Sequence, residues 1–153
     1  MAALASMMIR KFQESDFEKV NEIYSLSKLD ELRFEREVFQ LLPLKEDEKR
    51  LRDLMESEIF VYEDGGILGY GAIYQNEIRS LFVHPLYRGE GVGSALFDHL
   101  IAEVGTPTKL YVAKSNLPAK SMYHKYGFTV TGEFEASYNG KSVLANEMVR
   151  ISE

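Results

Sequence analysis

The stretch LFVHPLYRGEGVGSALFDHL, residues 81–100, decides the fold of this chain. Its first residues complete an apolar β-type run, and Pro85 prevents that run from continuing as a central strand because proline has no N–H for the ladder. After the glycine-rich turn at residues 88–93, apolar residues recur at helical spacing until Gly105. The stretch therefore predicts a strand, a tight turn and a helix in direct succession.

The chain as a whole predicts the element order β-α-α-β-β-β-α-β-α-β-β. The predicted strands are residues 9–12, 59–62, 67–74, 77–83, 109–113, 128–138 and 141–151. The predicted helices begin near Ser15 or Asp16, near Asp47, at Val92 and at Pro118. Residues 29–44 are mixed and indicate a loop or an irregular helix. These elements together predict an α/β fold with a mixed sheet.

Length and composition limit the classes of protein to which the chain can belong. With 153 residues, 45% of them hydrophobic, we expect one domain over residues 8–153 after a tail at residues 1–7. The chain has no cysteine, which excludes disulfides, thiolate metal sites and cysteine nucleophiles. No export signal or membrane span is visible, so we expect a cytoplasmic protein without a membrane partner. A net charge of −6 argues against nucleic-acid binding; it is consistent with a cationic substrate, but also with solubility alone.

The turn Arg88-Gly89-Glu90-Gly91-Val92-Gly93 is suited to binding an anion. Several backbone N–H groups can converge there, the helix N-terminus adds partial positive charge, and glycine lets the backbone approach a phosphate closely. Gly93 is followed by Ser94-Ala95, so the turn is not a Walker A motif, and its G-x-G-x-G spacing differs from the dinucleotide fingerprint. A tight turn without any ligand is the alternative interpretation.

Two motifs resemble those of the GNAT superfamily of N-acetyltransferases. Arg88-x-x-Gly91-x-Gly93 is similar to the family's Q/R-x-x-G-x-G/A signature, and residues 116–128 are similar to its second motif. The resemblance covers nearly the whole chain. It implies a single-domain GNAT-like fold, with a mixed, mostly antiparallel sheet of about seven strands that is flanked by about four helices and splayed between strands 4 and 5.

The resemblance implies acetyl-CoA as co-substrate, with no metal. The residues that it assigns to coenzyme binding are Leu81, Phe82, Val83, Arg88, Gly89, Glu90, Gly91, Val92, Gly93, Ser94, Asn116 and Ala119. The turn amides would bind the pyrophosphate, and the main chain of Leu81 and Val83 would pair with the pantetheine arm. Asn116 can equally cap the helix that follows it or form an Asx turn, and these functions are compatible.

Acetyl transfer to an amine requires an oxyanion donor, an acid for the leaving thiolate and a base for the nitrogen. The resemblance implies the Val83 N–H as oxyanion donor and Tyr123 as general acid. A phenol has an ordinary pKa of about 10, so Tyr123 can protonate the thiolate only if its hydroxyl lies beside the sulfur. The alternative for Tyr123 is a packing role in the core.

Glu77 is the leading candidate for the base, and His84 is a second option. Because successive side chains of a strand point to opposite faces of the sheet, Glu77 is expected to share a face with Arg79, Leu81 and Val83. A solvated glutamate at a strand end is the alternative. His99 and His124 lack a partner at metal-ligand spacing, so we expect no metal site.

The acceptor is inferred from charge alone. An acidic rim around an acceptor pocket is predicted from Glu31, Glu35, Glu37, Glu46, Asp47 and Glu48, although a solvated charged face is the alternative. We therefore expect acetyl transfer to a primary amine, on a small molecule or a peptide, by direct attack in a ternary complex. The alternative function is a non-catalytic CoA or acyl-CoA sensor of the same fold. The oligomeric state stays open, with a homodimer as one option.

Overall fold

The protein is described by a computed structural model that covers residues 7–151, so the predicted tail lies outside it except for Met7. The strands are β1 (Met8–Lys11), β2 (Glu58–Glu63), β3 (Ile67–Tyr74), β4 (Glu77–Val83), β5 (Thr108–Ala113), β6 (Thr129–Tyr138) and β7 (Lys141–Arg150). The helices are α1 (Phe17–Ser27), α2 (Glu48–Glu56), α3 (Val92–Glu103) and α4 (Leu117–Lys125). This order confirms the predicted one. The mixed segment after α1 contains short 3-10 helices at Lys28–Leu32 and Leu44–Glu46.

The seven strands form one sheet in the order β1-β2-β3-β4-β5-β7-β6. Every neighbouring pair is antiparallel except β4 and β5, which confirms the mixed, mostly antiparallel sheet. One face packs against α1 and α2, and the other against α3 and α4. Between residues 7 and 151, none of the helices is long and apolar enough to cross a bilayer.

The parallel pair β4 and β5 separates soon after it forms. Only Glu77 with Lys109 and Ile78 with Leu110 are paired, although both strands continue for several residues beyond these positions. On its other side, β5 pairs with β7 along its whole length, so the two halves of the sheet diverge beyond Ile78 and Leu110. The predicted splay between strands 4 and 5 is confirmed.

The β4 strand does not keep the alternation that the sequence predicts. Its register against β3 shifts between Ala72 and Ile73, which leaves Arg79 as an extra residue. Glu77 and Arg79 lie towards α2, whereas the side chains of Leu81 and Val83 pack against the α3 side. The expectation that all four share one face is wrong, because a bulge reverses the alternation beyond it.

The start of α1 also differs in detail from the prediction. Asp16 occupies the N-cap position but makes no side-chain capping bond to α1. Its carboxylate instead binds the Arg10 guanidinium at 2.8 and 3.0 Å and accepts the Gln13 N–H at 2.7 Å. The hydrogen bond from Arg10 lowers the pKa of Asp16. A partly buried ion pair thus joins β1 to the start of α1.

A glycine of β3 allows α3 to pack closely on the sheet. A Cβ at Gly69 would lie 2.9 Å from the Phe82 carbonyl oxygen and 3.1 Å from side-chain atoms of Leu96 and Val92. We expect Gly69→Ala to lower the free energy of unfolding by about 1–3 kcal/mol, since the strand and helix must separate. Urea unfolding followed by circular dichroism measures this change.

Gly132→Ala is the matched control, because a Cβ there would meet Glu147 Cβ at 3.9 Å, an ordinary contact. We expect its free energy of unfolding to change by no more than about 0.5 kcal/mol. Equal urea midpoints for Gly69→Ala and the unsubstituted protein would contradict the close-packing argument.

Candidate functional site

The divergence of β4 and β5 opens a cleft of about 800 Å³. Its walls come from β4, β5, β6 and β7, from α1 and α2, and from the start of α4. Two side chains predicted for catalysis, Glu77 and Tyr123, both line this cleft, as does Asn116. The tertiary structure therefore brings together residues that lie on separate elements of the chain.

The glycine turn lies at the N-terminus of α3, and none of its residues 88–93 lines the cleft. Gly89 and Gly91 have φ values of 79° and 87°, which L residues rarely adopt, and a Cβ at either would meet no atom within 4 Å. Gly93 is different, because it lies in the first turn of α3 and its Cβ would meet Val83 Cγ2 at an ordinary 3.5 Å. Neither backbone conformation nor packing within the described chain requires glycine at position 93.

Several predicted coenzyme-binding residues have their side chains committed to the fold. Val92 is buried and packs together with Leu81 and Val83. Phe82 packs between the rings of Tyr24 and Tyr70, with both centroids at 5.6 Å. These residues can therefore offer a ligand mainly their backbone groups.

The backbone of Val83 faces the gap between the diverging strands. His84 donates its N–H to Leu68 of β3 at 2.8 Å, so the N–H and carbonyl of Val83, one residue earlier, point away from β3. The Val83 carbonyl accepts hydrogen bonds from Ser27 Oγ at 3.1 Å and from Arg88 Nε at 3.4 Å. Arg88 also forms an ion pair with Asp30, so its side chain connects the turn to the segment after α1.

The second motif begins at the N-terminus of α4. Asn116 is 7% exposed and its side-chain oxygen accepts the Ala119 N–H at 3.5 Å, so the capping function is present. Asn116 also lines the cleft, which keeps the ligand-binding function compatible with capping. Glu90 and Ser94, also predicted to contact coenzyme, are exposed beside the turn.

Tyr123 reaches the cleft from α4. Its ring packs against Phe97 and Phe128 at centroid distances of 5.4 and 6.2 Å. Tyr123 therefore also has the packing role in the core that was the alternative interpretation. Burial raises the pKa of Tyr123 to about 12, with a smaller contribution from the negative charge of Glu31. The hydroxyl therefore stays protonated at neutral pH and is available as a proton donor.

Glu77 lies at the start of β4, with its side chain 20% exposed. Its nearest cation is Arg79, whose Nε lies 3.5 Å from Glu77 Oε1. Arg79 makes shorter contacts elsewhere, to Glu56 at 2.7 Å and to the Asp53 carbonyl at 2.9 Å. Glu77 is thus only weakly paired and can accept a proton from a group in the cleft.

The histidines lie outside the cleft. The Nδ1 of His84, the second option for the base, accepts the Leu86 N–H at 3.1 Å and so caps a short helical turn. His99 packs its ring against Phe60 at 4.5 Å, and His124 lies in the last turn of α4. Among residues 7–151, no group of three or more His, Asp or Glu side chains is placed to hold a metal ion.

The acidic rim predicted around the acceptor pocket is wrong except at Glu31, because the other five acids do not line the cleft. Asp47 caps α2 and pairs with Arg50, while Glu35 contacts Ser115. The acids that do line the cleft are Glu31, Asp53, Glu77 and Glu147. They are matched by the bases Lys28, Lys49, Arg50 and Arg79, so the lining carries no net charge at neutral pH.

Four further side chains that line the cleft were not predicted from the sequence, namely Tyr24, Lys28, Tyr70 and Tyr138. Lys28 is 8% exposed and continues the buried stripe of Val20, Ile23 and Tyr24. A lysine at an apolar position of a helical stripe was the available signal, since buried lysine is rare without a partner.

The chain is similar to known acetyltransferases of the GNAT family. A family model described as an acetyltransferase (GNAT) domain matches residues 55–130, about half of the chain. The peptidyl-lysine N-acetyltransferase YjaB of Salmonella typhimurium is 35% identical over 75 residues, which make up 48% of this chain and 50% of that protein. The alignment thus spans about half the length of that relative.

Two solved structures share the fold across nearly the full length. The GCN5-related N-acetyltransferase from Rhodopseudomonas palustris has a TM-score of 0.76 at 17% identity, with 99% of both chains covered. The structure of yncA from Salmonella typhimurium, which contains its cofactor acetyl-CoA, has a TM-score of 0.67 at 22% identity, with 96% and 95% covered. At these identities the likeness concerns the fold alone.

Proposed function

This chain belongs to the GNAT acetyltransferase family, and from that membership we propose that it transfers an acetyl group from acetyl-CoA to a primary amine. The acceptor would be a small-molecule amine or an amine of a peptide, a lysine side chain being one example because YjaB is a peptidyl-lysine N-acetyltransferase. We further propose that residues 8–153 form the catalytic domain and that it acts in the cytoplasm.

One observation carries this proposal: the separation of β4 from β5 opens a cleft that Glu77 and the Tyr123 ring both line. A carboxylate that can accept a proton and a phenol that can donate one therefore face the same space. Proton transfer in both directions is what acetyl transfer from a thioester to an ammonium requires.

The residues around the gap fit acetyl-CoA, which supplies the acetyl group as a thioester. At the turn, a pyrophosphate would meet the amides near Gly91, where a Cβ-free surface and the α3 N-terminus favour an anion. Along β4, the backbone of Leu81 and Val83 would pair with the pantetheine arm, since this edge lacks a β5 partner within the described chain. Asn116 would contact the same arm.

In the proposed mechanism, each step is assigned to one group of this chain. Glu77 accepts a proton from the acceptor nitrogen, and the neutral amine then attacks the acetyl carbon. The Val83 N–H donates a hydrogen bond to the acetyl oxygen as it gains negative charge. Tyr123 donates its hydroxyl proton to the departing sulfur, which leaves as a thiol, and the Tyr123 phenolate then takes up the second proton, which the nitrogen loses as the amide forms.

We expect Glu77→Gln to lower kcat/KM for the amine by about 100-fold or more, because glutamine cannot accept the proton. The substitution preserves the shape of the side chain and removes only the weak pairing with Arg79. Steady-state thiol release at several pH values measures the change, with Glu133→Gln on the exposed β6 strand as a charge-matched control. A kcat/KM equal to that of the control would remove Glu77 from the mechanism.

The function itself is tested with purified protein, acetyl-CoA and a panel of alkylamines and lysine peptides. We expect release of free thiol together with a mass increase of one acetyl group on an acceptor. Coenzyme binding by calorimetry without thiol release from any amine would instead favour a non-catalytic sensor. The absence of any affinity for CoA would contradict both functions.

A further inference from the structure

The gap between β4 and β5 begins at the extra residue of β4. Ile78 and Leu110 form the last pair between the two strands, and Arg79 is the next residue of β4. Arg79 is also the residue by which the register between β3 and β4 shifts. A bulge of this kind bends its strand and changes the direction of the side chains around it. The bend in β4 therefore coincides with the start of the cleft.

The side chain of Arg79 joins this bulge to the end of α2. Its Nη1 lies 2.7 Å from the Glu56 carboxylate, 2.9 Å from the Asp53 carbonyl oxygen and 3.3 Å from Ser57 Oγ. Asp53 is in the last turn of α2, where carbonyl groups lack a partner within the helix. Arg79 thus supplies a hydrogen bond and the positive charge that a helix C-terminus favours.

Arg79 also contacts the two strands on either side of the turn that joins β3 to β4. Its guanidinium carbon lies 4.1 Å from the centroid of the Tyr74 ring, a favourable cation–π distance. Its Nε lies 3.5 Å from Glu77 Oε1, and the side chain is only 17% exposed. One planar guanidinium therefore contacts α2, β3 and β4 together, which the rigid fork of arginine permits.

Two parts of the proposed machinery depend on the path of β4 at this point. Glu77 lies two residues before Arg79, and the edge proposed to pair with the pantetheine arm begins at Leu81, two residues after it. Because a shift of one residue in register turns side chains to the opposite face, a bulge that lost its anchor would displace both parts. The contacts of Arg79 oppose such a shift.

We infer that Arg79 is a positioning residue, which holds the β4 bulge against α2 and so fixes both the Glu77 carboxylate and the coenzyme-binding edge. The inference rests on the proposed function, since it concerns the residues proposed for catalysis and coenzyme binding. Arg79 would act through the backbone of β4 rather than through contact with a reacting atom.

Replacing Arg79 with methionine tests the inference, with Arg10→Met as the matched control. We expect Arg79→Met to lower both CoA affinity and kcat/KM for the amine by at least about 10-fold, because small displacements of reacting groups are costly. Arg10 is 23% exposed and forms ion pairs at 2.8 Å with Asp16 and Glu63, but it does not line the cleft. Arg10→Met should therefore lower the urea midpoint while CoA affinity and kcat/KM stay unchanged.

Arg79→Lys separates the anchor from the charge and keeps the test valid if Arg79→Met fails to fold. Lysine keeps a positive charge near Glu77 but lacks the fork that reaches several partners together. We expect its CoA affinity and kcat/KM to lie between those of Arg79→Met and the unsubstituted protein. Calorimetry with CoA and steady-state thiol release measure the two quantities.

Two results would overturn the inference. One is an Arg79→Lys protein with the CoA affinity and kcat/KM of the unsubstituted protein. The other is a loss of both quantities in Arg79→Met that is no larger than in Arg10→Met, which would leave Arg79 with a structural role alone. Failure of the unsubstituted protein to bind CoA or release thiol would instead contradict the proposed function, on which the inference rests.

Discussion

Replacing Tyr123 with phenylalanine is expected to lower kcat by about 10²- to 10⁴-fold, the range typical of a lost general acid. The departing thiolate then has to take its proton from water. The hydroxyl stays protonated at neutral pH because burial raises the pKa of Tyr123 to about 12, so the acid is present throughout the physiological range. Steady-state thiol release with saturating acetyl-CoA and amine measures the loss.

Tyr123→Phe removes only the hydroxyl and retains the phenyl ring, so it tests proton donation without changing the packing. The ring contacts with Phe97 and Phe128 should persist, so stability and CoA affinity are expected to stay close to those of the unsubstituted protein. Tyr126→Phe is the matched control, since its hydroxyl binds Asp98 on α3, outside the cleft. An unchanged kcat in Tyr123→Phe would leave Tyr123 with packing as its only function.

Introducing glutamate at Gly93 is expected to weaken CoA binding by at least about 100-fold, since like charges brought together cost several kcal/mol. The proposed pyrophosphate would lie against the turn where α3 begins. The folded chain itself should tolerate the change, because residue 93 has no unusual φ and its Cβ would meet only Val83 Cγ2 at 3.5 Å. An acidic residue in the first turn of a helix is even favourable.

For Gly93→Glu, calorimetry measures the affinity for CoA, and urea unfolding measures the stability of the fold. Gly93→Ala is the control: alanine favours the helix over glycine by up to about 1 kcal/mol, so its stability should rise while its CoA affinity falls less than that of the glutamate variant. Gly91→Glu is less informative, because a φ of 87° strains any side chain there. Unchanged CoA affinity in Gly93→Glu would place the pyrophosphate elsewhere.

The sequence predicted β3 and β4 with their observed boundaries because the signals that define them are local. Glycines and prolines mark the ends of these elements, and apolar periodicity within each run distinguishes strand from helix. The turn before α3 was recognised for the same reason. The assignments of Tyr123 and Glu77 remain predictions, although the structure places both on one cleft.

The arrangement of charges in the cleft could not be predicted from such local sequence signals. An acidic rim was predicted from residues that are close in the chain, but Asp47 turns inward to cap α2, and only Glu31 faces the cleft. The predicted face of Glu77 failed for a related reason, because the extra residue in β4 is visible only once β3 fixes the register.

By itself, the sequence determined the order of the elements, the glycine turn and the family motifs, since each depends on residues that are near one another in the chain. The tertiary structure was needed to show that the Lys28 ammonium lies over the Tyr138 ring and that Arg88 binds Asp30. Such pairs join residues far apart in the chain. Their contacts form only when strands and helices pack, so local propensity carries no information about them.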